Sequence, residues 1–157
     1  MADAPESKMI EMQLGRVIRH DTADRSYIFL QEKGGARSFP IVIGRYEAEE
    51  IYRVLTKQDP RRPLTHQLAH AAIESLGAHI ARCDIVDLRD NTFFAQLVLS
   101  AGGGATTAVV DARPSDAIAL ALRSGAGIRV AESILEQVRS DESGPDPLPE
   151  DPAPPQS

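Results

Sequence analysis

Asp111-Ala112-Arg113-Pro114-Ser115-Asp116-Ala117-Ile118-Ala119-Leu120-Ala121-Leu122-Arg123-Ser124-Gly125 is the stretch that decides the fold. Pro114 suits the first position of a helix, where its fixed φ is already helical and its missing N–H had no partner to lose. Arg113 then occupies the capping position. Asp116 falls in the first turn, where a carboxylate interacts favourably with the helix dipole. Gly125 supplies the stop. Residues 117–122 are apolar nearly all round, which predicts a buried helix.

Working outward, residues 105–111, 92–100 and 78–88 read as strands. Asp90-Asn91 and Gly102-Gly103-Gly104 supply the turns, so the three form an antiparallel meander. Before them, Thr65 is the expected cap of a helix that turns Leu68, Ala72, Ile73 and Leu76 inward and closes at Gly77. Residues 45–57 carry Ala48, Ile51, Tyr52 and Leu55 at helical spacing. Residues 39–43 are a near-continuous apolar run, read as a central strand buried on both faces, with Pro40 tolerated near its start. Residues 26–32 and 9–19 complete the strands, the second with a bulge near Gly15. Beyond Gly125, residues 128–130 read as a short edge strand and 133–139 as a last amphipathic helix. The expected class is α+β: a mixed, mostly antiparallel sheet with about four helices packed on it, as a single domain.

Charge divides the chain differently. Of the net charge of −6, five units fall in residues 141–157 and one in 1–8, leaving 9–140 neutral. Residues 141–157 hold six prolines and one large apolar residue, Leu148. Such a segment cannot bury enough surface to offset ordering entropy, so a disordered acidic tail is expected, after a flexible N-terminus at 1–8 and a folded domain at 9–140. The tail could compete with nucleic acid for Arg61 and Arg62. No apolar run approaches a membrane span and the N-terminus lacks a signal-peptide pattern, so no membrane partner and a cytoplasmic location are expected. Cys83, the single cysteine, has no intramolecular partner and reads as a small core residue.

The chemistry-bearing residues cluster around the opening stretch. Asp111, at a strand end, and Asp116, in a first helical turn, could converge as two carboxylates on a hard cation such as Mg²⁺; Asp116 alone could equally serve only the helix dipole. Arg113 between them could balance charge or hold a phosphate. His66 and His70 stand at i and i+4, but Gln67 occupies the place where a zinc protease needs glutamate, so that chemistry is rejected. His66, beside Arg61 and Arg62 and near a helix start, is the better candidate for a base or a phosphate contact. Glu47 opens the first helix. The glycine triplet matches no phosphate-binding fingerprint, and no organic cofactor is expected.

Several motifs occur together: Phe39-Pro40-Ile41-Val42-Ile43-Gly44 with Glu47-Ala48; Arg62-Pro63-Leu64-Thr65-His66; Asp90-Asn91-Thr92-Phe93-Phe94-Ala95; and residues 111–123. In that order they resemble the bifunctional nuclease domain family over about residues 9–139. The resemblance implies an α+β domain, self-association into a homo-oligomer, and cleavage of RNA and DNA. Two departures stand out: the family usually has an acid where this chain has Gln67, and commonly a tyrosine at Phe94. On this basis the expected activity is a phosphodiesterase using Mg²⁺ or Mn²⁺ on Asp111 and Asp116, with Glu47 beside them, and His66 in proton transfer. Arg113, Arg61, Arg62 and Arg123 would contact nucleic acid. The alternative is a non-catalytic oligomeric interaction or regulatory domain of the same fold.

Overall fold

In the computed structural model, residues 8–19, 22 and 24–140 are described; the expected N-terminal arm and acidic tail fall largely or wholly outside them. The elements are β1 (Met9–Ile18), β2 (Arg25–Glu32), β3 (Ser38–Gly44), α1 (Arg45–Leu55), α2 (Thr65–Ser75), β4 (Ala78–Arg89), β5 (Thr92–Ala101), β6 (Ala105–Ala112), α3 (Pro114–Ser124), β7 (Gly127–Ala131) and α4 (Glu132–Ser140). The strands form one sheet in the order β3-β2-β1-β7-β4-β5-β6. Every pairing is antiparallel except β4 with β7. This is the expected mixed α+β architecture.

Local chemistry explains the turns. Asp90 and Asn91 both take positive φ, at 50° and 57°. That is the mirror-image two-residue turn whose twist matches paired strands. The β1–β2 register shifts between Leu14 and Val17, the bulge expected near Gly15. α3 is capped by Arg113, begins at Pro114 and ends on Gly125 in the left-handed region, as read from the sequence. It packs on β4 and β5 and touches both α1 and α2, so it is the central helix of its layer. Ala117, Ile118, Ala119 and Ala121 are wholly buried. Cys83 is wholly buried too; burial, aided by the neighbouring Asp84 charge, pushes its thiol up to about 12.

Four expectations are corrected. β3 is an edge strand, not a central one: it pairs only with β2, and Val42 is 52% exposed while Phe39, Ile41 and Ile43 face the core. Pro40 suits that edge because it has no N–H to donate to a second neighbour. β7, expected at an edge, lies in the interior between β1 and β4. α2 was expected to bury one face, yet none of its residues is fully buried and Leu68 is 63% exposed. Thr65 is its first helical residue rather than its cap; the Gln67 side chain instead accepts the Leu64 N–H at 2.8 Å.

The cross-strand register also assigns faces. Ala95 and Leu97 of β5 point into the core beneath the helices and lie opposite Ala112 and Val110. Asp111, opposite Gln96, therefore points to the other side of the sheet. On that side Glu11, Arg129, Asp84, Gln96 and Asp111 follow one another as direct partners across five strands. Asp84 is buried there and accepts hydrogen bonds from Arg129, at 2.8 Å to each oxygen, and from Arg82 at 3.0 Å.

Candidate functional site

Three helices begin at one cleft. Its volume is about 760 Å³, and its walls include Tyr46 and Glu47 from the start of α1, Leu64 and His66 from the start of α2, and Arg113 and Asp116 from the start of α3. Each helix start presents unpaired N–H groups and the positive end of a dipole, which favour an anion; the same wall also carries the carboxylates of Glu47, Glu49, Glu50 and Asp116 beside Arg53 and Arg113.

The side chains in the cleft form one chain of contacts. His66 Nε2 lies 2.8 Å from Asp116 Oδ1. Arg113 Nε donates to Asp116 Oδ2 at 2.9 Å, and its Nη2 donates to Glu47 Oε1 at 3.2 Å. Burial alone would raise the Asp116 pKa, but hydrogen bonds from Arg113 and His66 outweigh it and hold the carboxyl below its ordinary range. An ionised carboxylate only accepts, so the shared proton belongs to His66 Nε2. In the neutral ring Nδ1 is then left as a proton acceptor. Nδ1 makes no hydrogen bond among the described residues. Glu47 folds back over its helix start, and its carboxylate fills the space a Cβ at Gly44 would need.

Behind this chain lies a second one that the sequence reading missed. Glu50, only 4% exposed, accepts from Arg53 at 2.7 Å and from Arg123 at 2.6 Å. Glu47 and Glu50 stand one helical turn apart, and Glu50 lies between Ala48 and Ile51 on the buried side of α1. An acid set among core positions was the available signal. Tyr46 was missed as well; an exposed aromatic at a helix start leaves no periodic trace.

The structure thus joins Glu47, His66, Arg113 and Asp116. Asp111 stays apart on the opposite face of the sheet, exposed and without an ion pair to any of them. Arg61 and Arg62 are exposed on the connection between α1 and α2 and are not in the cleft wall. Arg123 is committed to Glu50, and its Nε is buried without an acceptor. Gln67 caps α2, a task an acid at that position would also perform. The expected two-carboxylate seat for Mg²⁺ or Mn²⁺ is not formed by Asp111 with Asp116, because Asp111 lies on the other face of the sheet. Among the described residues no three His, Cys, Asp or Glu side chains are grouped to hold an ion, and both Asp116 oxygens are engaged. No helix among these residues is long and apolar enough to cross a membrane.

Comparison with known proteins bears on this geometry. The family model described as the bifunctional nuclease domain matches residues 28–143. An uncharacterized protein of Mycobacterium tuberculosis is 41% identical over 110 residues, covering 70% of this chain and 64% of the relative. Bifunctional nuclease 1 of Arabidopsis thaliana is 28% identical over 135 residues, covering 78% of this chain and 42% of the relative. Bifunctional nuclease 2 of the same plant is 27% identical over 139 residues, covering 80% and 42%. The chain therefore spans less than two thirds of the length of these relatives.

Proposed function

The chain belongs to the bifunctional nuclease domain family, and from that premise we propose that it is a nuclease hydrolysing phosphodiester bonds of RNA or DNA in the cleft where α1, α2 and α3 begin. The observation that carries this reading is the convergence of three helix starts on the His66–Asp116–Arg113–Glu47 chain. Asp116 fixes the His66 ring, as the carboxylate does in any oriented histidine base. Nδ1 takes the proton from the attacking water as its oxygen bonds to phosphorus. The sugar oxygen departs on the side opposite the attacking water and takes its proton from solvent as the old P–O bond breaks, and His66 returns its proton to water afterwards. Arg113, whose side chain is 66% exposed, and the helix N–H groups stabilise the charge that builds on the phosphate. Each of these steps is carried by the chain's own side chains and helix N–H groups.

The test is cleavage of labelled single-stranded RNA and DNA, with and without chelator, by the full chain and by His66→Ala and Asp116→Asn. Each substitution is expected to lower the rate by about 10²–10⁴. Chelation should leave the wild-type rate unchanged. Equal rates for wild type and both variants would end the proposal; a rate abolished by chelator would replace histidine catalysis with metal catalysis.

One observation favours the alternative, a non-catalytic oligomeric interaction or regulatory domain: the same contacts tie three helices together. In that case Asp116→Asn lowers the melting temperature and the wild type cleaves nothing. Self-association belongs to either reading. β6 supports it, being an outer edge strand with Val109 and Val110 53% and 44% exposed and no proline to blunt pairing with a second copy. Light scattering on Val109→Lys should show a smaller particle than wild type; an unchanged mass would move the interface elsewhere.

A further inference from the structure

A second cleft adjoins the first. Its volume is about 1020 Å³; it runs along β3 between the β4–β5 turn and α4, and Arg113 lines both clefts. Phe39 and Phe93, with ring centroids 5.5 Å apart, form part of its apolar floor. Although the whole chain is acidic, no carboxylate lines this cleft among the described residues. Arg37 also lines it but is neutralised by Glu32 and Glu132. Arg25 and Arg139 are different: both are exposed, and neither forms an ion pair with a described residue.

At the other end of the path stands Tyr46. It is 80% exposed, directly precedes Glu47, and borders the cleft of His66 together with Leu64 and Leu68. A large flat ring in water contributes little to the fold, yet it offers a platform on which a base can stack. A base on that ring must be unpaired, which a duplex does not supply. Gly44, at the end of β3, lies two residues from Tyr46, so the two clefts meet where Arg113 stands.

We propose that single-stranded nucleic acid lies across the two joined clefts, with its phosphates on Arg25 and Arg139 and one base stacked on Tyr46. The inference rests on the nuclease reading of the adjoining cleft and names its substrate as unpaired strand. The path places the backbone at Arg113, beside His66.

Binding is measured apart from cleavage, in full-length protein carrying His66→Ala. The probes are fluorescent oligothymidylate, the matching duplex, an abasic strand of equal length and an acidic peptide. Arg25→Ala and Arg139→Ala should each reduce the slope of log affinity against log salt by about 0.7. Tyr46→Ala should weaken oligothymidylate binding about tenfold, and Tyr46→Phe should restore it. The chain has no tryptophan, so Tyr46→Trp introduces a single reporter. Oligothymidylate should quench it and the abasic strand should not. All three positions are exposed, so these variants keep the fold.

Unchanged salt slopes, equal quenching by the abasic strand, or equal affinity for duplex or acidic peptide would each overturn the track. If the binding results hold while no condition yields cleavage, the catalytic reading fails alone. If wild type cleaves through His66 while Arg25, Arg139 and Tyr46 are silent, the track fails alone.

Discussion

Replacing Glu50 with leucine removes the counter-ion on which two arginines of the helix layer depend. Glu50 is 4% exposed, and the side chains of Arg123 and Arg53 are 15% and 24% exposed. Arg53 can swing into water from its place on α1, so its loss is small. Arg123 cannot escape as easily, and its Nε already lacks an acceptor. Leaving a buried charge uncompensated costs about 3–5 kcal/mol. For a domain of this size that is a fall of about 10–25 °C in melting temperature. Glutamine keeps one carbonyl acceptor, and a hydrogen bond to a charged group is worth about 1.5–3 kcal/mol, so Glu50→Gln should lose roughly half as much. Glu50→Leu combined with Arg123→Met should recover part of the loss, because an apolar pair can replace a buried ionic one at little cost. Thermal and urea unfolding followed by circular dichroism provide the measurement. The reasoning is refuted if Glu50→Leu costs under about 1 kcal/mol, or if the double variant is less stable than the single one.

Two further outcomes are expected. Burial would raise the Asp84 pKa, but hydrogen bonds from Arg129 and Arg82 outweigh it and hold the carboxyl low. A depressed folded-state pKa contributes stability above the unfolded value, about 3.9, and that stability is lost as pH falls through the folded value. The urea midpoint should therefore fall below about pH 4, and less steeply in Asp84→Asn; identical acid limbs would show that Asp84 is not responsible. Deleting residues 141–157 removes five acids and should tighten oligonucleotide binding at low salt but not at high salt. Equal low-salt affinity with and without the segment would dismiss competition by the tail.

Features governed by neighbouring residues were legible in the sequence. Pro114 and Gly125 bracketed α3, and Asp90-Asn91 fixed a hairpin, because each acts through its own backbone geometry. Features governed by distant pairing were not. An apolar run such as residues 39–43 reads alike at the centre and at the edge of a sheet, and only the single neighbour of β3 distinguishes them. β7 looked peripheral because it is short, yet it is enclosed on both sides. The candidate site shows the same division. Glu47, His66, Arg113 and Asp116 were visible as residues at helix starts. The expected pairing of Asp111 with Asp116 overlooked the alternation of β6, which turns Asp111 away from the helices. Glu50 showed in the sequence only as an acid among core positions, because its partner Arg123 lies 73 residues away.

The place of β7 has a consequence for how the molecule comes into being. The strands β1 to β3 and β4 to β6 are two sets of sequence neighbours, each able to pair as soon as it exists. Nothing in the strand order joins one set to the other except β7, whose Ala131 pairs with Met9 at the far end of the chain. On the ribosome, then, the edges of β1 and β4 stay open until almost the whole domain has been synthesised, and closing them demands the longest loop in the fold. That interval is when the nascent chain is most exposed to aggregation. The emergence of β7 sets the moment at which two separate hairpin assemblies become one sheet.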